Sequence, residues 1–265
     1  MRWPRFRWPR WLVRRGPILH VAIDEGDGPV VILVHGIASS SVTFQELVPR
    51  LSDSHRVVAL DILGFGGSPS PATAQYTIGE HARALNATIR SLRLGAPFVL
   101  VGHSLGALIA ARYTAEHPRD VAKLVLVSPP VYLEPRAFGA QRDRTAADLY
   151  LKAYEYLRAN KQFTMRAARG LDRISPIRNL LDVTEANWNA FTLSLKNAIE
   201  SQTTVSDVAR VRVPVEVVYG TLDPFLMPGG IRILESMRHV TVHRVDAGDH
   251  VIRKRFAGKV AKLIG

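Results

Sequence analysis

From residue 16 onward, apolar residues come in two alternating kinds of run. Short, continuous, β-branched stretches read as strands buried on both faces: "VVILVH" (30–35), "RVVALDI" (56–62), "FVLVGH" (98–103) and "VAKLVLVS" (121–128). Helical segments lie between them. Thr43 with Glu46, and Thr77 with Glu80, have capping-box spacing, which predicts helices to about Leu51 and about Leu94. Another helix is expected from Ser104 to about Glu116. Ahead of these, "ILHVAI" (18–23) is a further strand, and the turn "DEGDG" predicts that it pairs with 30–35 as an antiparallel hairpin. Strands alternating with helices predict an α/β fold, with a mostly parallel central sheet and helices on both faces.

The alternation stops between 129 and 208. There "TAADLYLKAYEYLRAN", "RAARGLDRI" and "EANWNAFTLSLKNAIES" read as amphipathic helices. In the last, Trp188, Phe191, Leu195 and Ile199 fall near one stripe. An insertion this long is no ordinary connection, and insertions after sheet strands often lie over a ligand crevice. The sheet pattern resumes with "VPVEVVYG" (213–220), a helix around 228–237, "HVTVHRV" (239–245) and a final helix from about Arg253. The expected organisation is a core of 16–128 and 209–265 interrupted by a helical cap at 129–208. Trp188, Phe191 and Leu195 could line a substrate pocket; the plainer use of that stripe is packing cap against core.

Composition narrows the picture. The 265 residues are 47% apolar and 22% charged, ordinary for a globular protein. No apolar run approaches the ~18–20 residues of a membrane span. The absence of cysteine excludes disulfides, thiolate metal sites and a cysteine nucleophile. Half of the +12 net charge sits in residues 1–15, where six arginines occur without an acid. This leader repeats Arg-Trp-Pro-Arg at 2–5 and 7–10, and its prolines oppose a regular helix. It lacks the apolar stretch of a secretory signal, so a cytoplasmic location is expected. The leader is read as a mobile arm. Trp3, Phe6, Trp8 and Trp11 among the arginines would also suit weak contact with an anionic membrane surface. Nothing outside the leader points to nucleic acid.

Candidate chemistry centres on "VLVGHSLGA" (99–107), where Ser104 stands between Gly102 and Gly106 at a strand-to-helix turn. Small residues two before and two after let backbones approach, and the hydroxyl would project at a helix amino end, which favours developing negative charge. A helix N-cap serine is the plain alternative. A serine nucleophile needs a base. Among nine histidines, His250 in "DAGDHVI" lies in a loop past the last strand, where it can reach over the serine. Asp223 in "VEVVYGTLDPF" sits beyond the penultimate strand and can orient the imidazole, with Asp246 and Asp249 in reserve. "VHGIASS" can supply one backbone donor of an oxyanion hole: Ile37 and Leu105 N–H groups are the expected pair, with His35 and Gly36 shaping the loop.

Over residues 16–265 the chain resembles the α/β-hydrolase superfamily, through "VHGIASS", "DILGFGGS", "GHSLGA", "YGTLDPF" and "GDH" in the family's order. The resemblance implies a Ser104–His250–Asp223 catalytic triad, an acyl-enzyme intermediate, no cofactor and no metal. It also implies a helical cap inserted after the sixth strand. A serine in place of aspartate argues against dehalogenases and epoxide hydrolases, and "HGIA" lacks the latter's His-Gly-x-Pro entrance. The expected activity is that of a carboxylesterase on a small or medium, fairly apolar ester. The alternatives are a C–C bond hydrolase acting on 2-hydroxy-6-oxo-dienoate products and a non-catalytic ligand-binding protein on the same fold. The oligomeric state stays open.

Overall fold

The computed structural model describes residues 16–132, 141–174 and 181–265, so the leader at 1–15 and two stretches of the expected cap lie outside the described residues. Seven strands form one sheet: β1 (Val21–Glu25), β2 (Val30–Val34), β3 (Arg56–Leu60), β4 (Phe98–His103), β5 (Val121–Val127), β6 (Val215–Gly220) and β7 (Val240–Val245). Their spatial order is β1-β3-β2-β4-β5-β6-β7, parallel throughout except for β1 against β3. The helices are α1 (Ile78–Ser91), α2 (Leu105–Glu116), α3 (Gln141–Ala159), α4 (Lys161–Ile174), α5 (Trp188–Ser194), α6 (Thr204–Arg210), α7 (Pro228–Glu235) and α8 (Lys254–Ile264).

The period-two geometry of a strand divides each buried run between two cores. Ile32, Val34, Val58, Leu60 and Leu100 pack with residues of α1 and α2. Val31, Leu33, Val57, Ala59 and Val101 face the other way, onto Phe44, Leu47 and the Phe256 and Val260 side of α8. Both faces of the sheet are therefore covered, and the polar ends of its strands are left as the place where side chains can converge on a ligand.

Three expectations are corrected. The first strand does not form a hairpin with the second; it crosses to the outer side of β3. β2 is fully buried from Val31 to Val34 and needs a neighbour on each side, whereas the half-exposed β1 suits an edge. Residues 41–50 form two short 3-10 turns, Ser41–Phe44 and Val48–Arg50, rather than one capped helix. The cap is Ser40, while the Thr43 hydroxyl is taken by Ser39 Oγ at 2.9 Å. The second box is present: Thr77 and Glu80 bond reciprocally at the start of α1. Finally, the helical segment follows the fifth strand and not the sixth, because among the described residues only β1–β5 precede it.

That segment runs through α3, α4 and α5, and α5 continues into one π-helical turn, Leu195–Ile199. Its return to the sheet is anchored at α6. Buried Asp207 accepts from Arg112 Nε of α2 at 2.9 Å, from Thr203 Oγ1 at 2.7 Å and from Arg210 at 2.5 Å. Among the described residues no helix is long and apolar enough to cross a membrane. Asp207→Asn removes the charge that these donors share and should lower stability by about 1–3 kcal/mol in urea unfolding. A loss below about 0.5 kcal/mol would mean that the cluster contributes little to holding α6 on α2.

Candidate active site

β4 ends at His103 and α2 begins at Leu105, so Ser104 makes the whole turn, with φ 54° and ψ −122°. A non-glycine residue held there costs of order 1–3 kcal/mol and needs surroundings that over-determine it. Ser104 N–H donates to the Val127 carbonyl at 2.9 Å, and its own carbonyl accepts from Ala107 N–H at 2.9 Å. The flanking positions are crowded. A Cβ on Gly106 would lie 2.1 Å from the Val34 carbonyl oxygen, and one on Gly102 would lie 2.3 Å from that of Gly106. A Cβ on Gly36 would lie 2.8 Å from Ser104 Cβ. Glycine at 36, 102 and 106 is thus what lets three backbone segments meet around the serine.

His250 and Asp223 come from loops after β7 and β6, which the backbone ties together. Leu222 N–H donates to the Gly248 carbonyl at 2.8 Å and Ala247 N–H to Thr221 Oγ1 at 2.9 Å. Gly220 permits this approach, since a Cβ there would stand 2.2 Å from the Gly248 oxygen. His250 Nδ1 then sits 3.0 and 2.9 Å from the two Asp223 carboxylate oxygens. A carboxylate only accepts, so Nδ1 carries a proton and donates it, and Nε2 makes no hydrogen bond among the described residues. Burial pushes the Asp223 carboxyl up, but the imidazole and the Phe225 N–H, 2.9 Å from Oδ1, hold it below its ordinary value. The Phe225 ring meets His250 edge-on at 4.8 Å. The reserve acids are engaged elsewhere, Asp246 with Arg244 and Asp249 with Arg253.

The loop after β2 is set by a buried histidine. Ile62 N–H donates to His35 Nε2 at 3.0 Å, which leaves Nδ1–H to donate to the Gly36 carbonyl at 2.7 Å. In a trans peptide the carbonyl and the following N–H point opposite ways. Holding Gly36 C=O therefore aims Ile37 N–H. Burial lowers the His35 pKa to about 4 despite nearby Asp61, so the ring stays neutral. Asp61 ties the same loop to the one after β3, accepting from Ser41 N–H at 2.9 Å and from Gly67 N–H at 2.8 Å. Leu105 opens α2, so its N–H has no carbonyl one turn back to bond.

Ser104, His250, Gly36 and Ile37 open onto one cavity of about 470 Å³. Ser104 Oγ makes no hydrogen bond to His250 among the described residues, a separation common before substrate binds. The cavity walls are apolar, built from Leu157, Leu181, Val183, Phe191, Leu195 and Ile199. Arg253 is the one charged residue among the described lining residues, and it is bridged to Asp249 at 2.7 Å. Of the expected pocket stripe, Phe191 and Leu195 line the cavity and Trp188 does not. Trp188 is half-buried against the core, and Lys161 of α4 lies over its ring at 5.7 Å. Residues not foreseen include the paired hydroxyls of Ser39 and Thr43 in the cavity and a tyrosine cluster beside Phe225. Two of those tyrosines stand four residues apart on α3, a spacing that could have flagged them.

Residues 29–252 match the family model described as the alpha/beta hydrolase fold, and the chain belongs to that family. It is 37% identical over 111 residues to the probable lysophospholipase BODYGUARD 2 of Arabidopsis thaliana, covering 40% of this chain but only 24% of the plant protein. It is 36% identical over 124 residues to 2-(acetamidomethylene)succinate hydrolase of Mesorhizobium japonicum, covering 47% of this chain and 44% of that one. The crystal structure of the enol-lactonase from Burkholderia xenovorans LB400 superposes with a TM-score of 0.69 at 20% identity, over 93% of this chain and 94% of that one. The structural likeness carries the fold alone.

Two predictions follow from this packing. Gly106→Ala should cost about 1–3 kcal/mol or more in urea unfolding, whereas Gly95→Ala, which meets nothing within 4 Å, should stay within about 0.5 kcal/mol of the parent. Equal effects would refute the crowding argument. The second concerns pH. Burial lowers His35 to about 4 and both His81 and His103 to about 3, from an ordinary 6.5. Below pH 6.5 the unfolded chain takes up protons that the folded chain refuses, so stability should fall as pH drops toward 4. The slope should reach about 4 kcal/mol per pH unit if all three contribute fully. His81→Phe, away from the cavity lining, should remove about a third of that slope; a flat profile from pH 7 to 5 would contradict it.

Proposed function

We propose that the protein is a serine hydrolase that cleaves neutral, fairly apolar carboxylic esters of small or medium size. The reading rests above all on the bond between His250 Nδ1 and Asp223, which leaves Nε2 unbonded, with His250 and Ser104 both lining one apolar cavity. Ser104 Oγ attacks the ester carbonyl while His250 Nε2 takes its proton, and Asp223 stabilises the resulting imidazolium. Ile37 and Leu105 N–H groups receive the oxyanion, the first aimed by His35 and the second at the start of α2. His250 returns the proton to the departing alcohol, leaving an acyl-Ser104. It then draws a proton from water as the hydroxide bonds to the acyl carbon. The bond from that carbon to Ser104 Oγ breaks, His250 returns the proton to Oγ, and the acid leaves. The described helices within 129–208, in this reading, cap the cavity, and Phe191, Leu195 and Ile199 form its acyl wall.

Cavity chemistry favours this reading over other reactions of the family. Cleaving a carboxylate-bearing dienoate, or a succinate such as that named for the Mesorhizobium relative, calls for a cation to meet the anion. Arg253, the one cation of the described lining, is already paired with Asp249. An ester without charge needs no such partner.

Short p-nitrophenyl esters should be turned over, and Ser104→Ala should cut kcat by about 10⁴ or more. A fluorophosphonate should label Ser104 stoichiometrically. Failure of both with the parent protein would favour a non-catalytic ligand-binding role, and faster cleavage of a dienoate than of any ester would displace the esterase reading. For the leader, full-length protein should sediment with anionic liposomes more than a 16–265 variant, with turnover of soluble esters unchanged; equal sedimentation removes the membrane contact.

A further inference from the structure

Three tyrosines converge on the loop that carries Asp223. Tyr132 follows β5, and Tyr150 and Tyr154 stand four residues apart on α3. Tyr132 and Tyr154 are buried. The Tyr132 hydroxyl lies 3.0 Å from the Phe225 carbonyl and 2.7 Å from the Tyr154 hydroxyl. A carbonyl only accepts, so the single Tyr132 proton goes to Phe225, and Tyr154 must be the donor to Tyr132. The order is therefore fixed: Tyr154 O–H to Tyr132 O–H to Phe225 C=O. Tyr150 O–H donates to the adjacent Pro224 carbonyl. The Tyr132 ring stacks on Tyr150 at 5.5 Å and tilts against Tyr154 at 5.8 Å.

The residue so gripped does two things for the proposed triad. Phe225 N–H donates to Asp223 Oδ1 at 2.9 Å, and its ring supports His250 edge-on at 4.8 Å. Phe225 itself is 41% exposed, so burial alone would not keep it in place. At its other end the chain of hydroxyls begins at Tyr154, which lines the cavity.

We infer that Tyr154 and Tyr132 form a hydrogen-bond relay that positions Phe225, and through it Asp223 and His250, from the wall of the cavity. The tyrosines are positioning residues and touch no reacting atom in this scheme. The inference rests on the hydrolase reading for its effect on turnover, but not for its effect on the loop. Linked hydroxyls polarise one another, so the two bonds act as a unit, and Tyr132 is the member both depend on.

The test uses full-length protein with Tyr132→Phe and Tyr154→Phe, a short p-nitrophenyl ester and amide hydrogen exchange. Tyr132→Phe keeps the ring and should lower kcat by about tenfold with KM within about twofold. Exchange of the Phe225 amide should accelerate by a similar factor, because its bond to Asp223 loosens. Tyr154→Phe should move both readouts the same way but less, since Tyr132 keeps its own bond to Phe225. It serves as the decisive variant if Tyr132→Phe does not fold. Unchanged Phe225 exchange in the folded variants overturns the relay. A rise in KM with kcat preserved also overturns it, and leaves Tyr154 as cavity wall only. If the parent turns over no ester and resists fluorophosphonate, the hydrolase reading falls, while the exchange data still decide the relay.

Discussion

The site depends first on how closely α2 can approach β2. The Val34 carbonyl oxygen sits where a Cβ on residue 106 would be, 2.1 Å away, so only glycine lets the helix start this deep in the sheet. Once it does, the chain has a single residue in which to turn from β4 into α2, and that residue takes a conformation that an ordinary side chain avoids. The same contact brings the Gly36 loop against Ser104. Hydroxyl exposure, helix amino end and neighbouring backbone donor are thus one packing event, and the strain at Ser104 is offset by the sheet around it.

The second half of the site solves a different problem. Asp223 and His250 are held in register by β6 and β7, which run parallel and end side by side at Gly220 and Val245. The loops then bond to each other before they reach the functional side chains, so the imidazole is oriented by backbone and by Asp223 together. His35 applies the same logic on the far side, where a neutral ring fixes a peptide plane. The His35 ring can do so because burial keeps it neutral, with one nitrogen donating and the other accepting. A charged His35 could not accept from Ile62.

Ser104, Asp223 and His250 were legible in the sequence because each follows a continuous buried strand, and parallel strands deliver their following loops to one edge. Gly36, Gly102 and Gly106 were legible for a related reason: tight turns between such elements demand glycine. What failed was reasoning confined to neighbours in sequence. A Gly-rich turn after 18–23 promised a hairpin, but β2 had better partners on both sides. Thr43 and Glu46 had capping spacing, yet Ser39 claimed the hydroxyl. Trp188 shared a stripe with Phe191 and packs against its ring at 5.7 Å, yet it does not line the cavity. The contact of Tyr132 with Phe225 joins residues 93 apart, and no local pattern encodes it.

The charge distribution sets the outside of the molecule against its cavity. The chain carries +12 overall, so its surface attracts anions, while the described cavity wall offers one cation that is already neutralised. Attraction outside and indifference inside are separable because surface fields fade within about 8–10 Å in physiological salt. Binding within the cavity then depends on burying apolar area, which rewards length and shape over charge. The π-helical turn at Leu195–Ile199 matters here, since it supplies two of the cavity's wall residues at a place where helical geometry is already irregular. An apolar wall also lowers the local dielectric around His250 and Asp223, which strengthens their interaction as long as both remain paired. The apolar character that would suit the proposed neutral ester therefore also sharpens the electrostatics between His250 and Asp223.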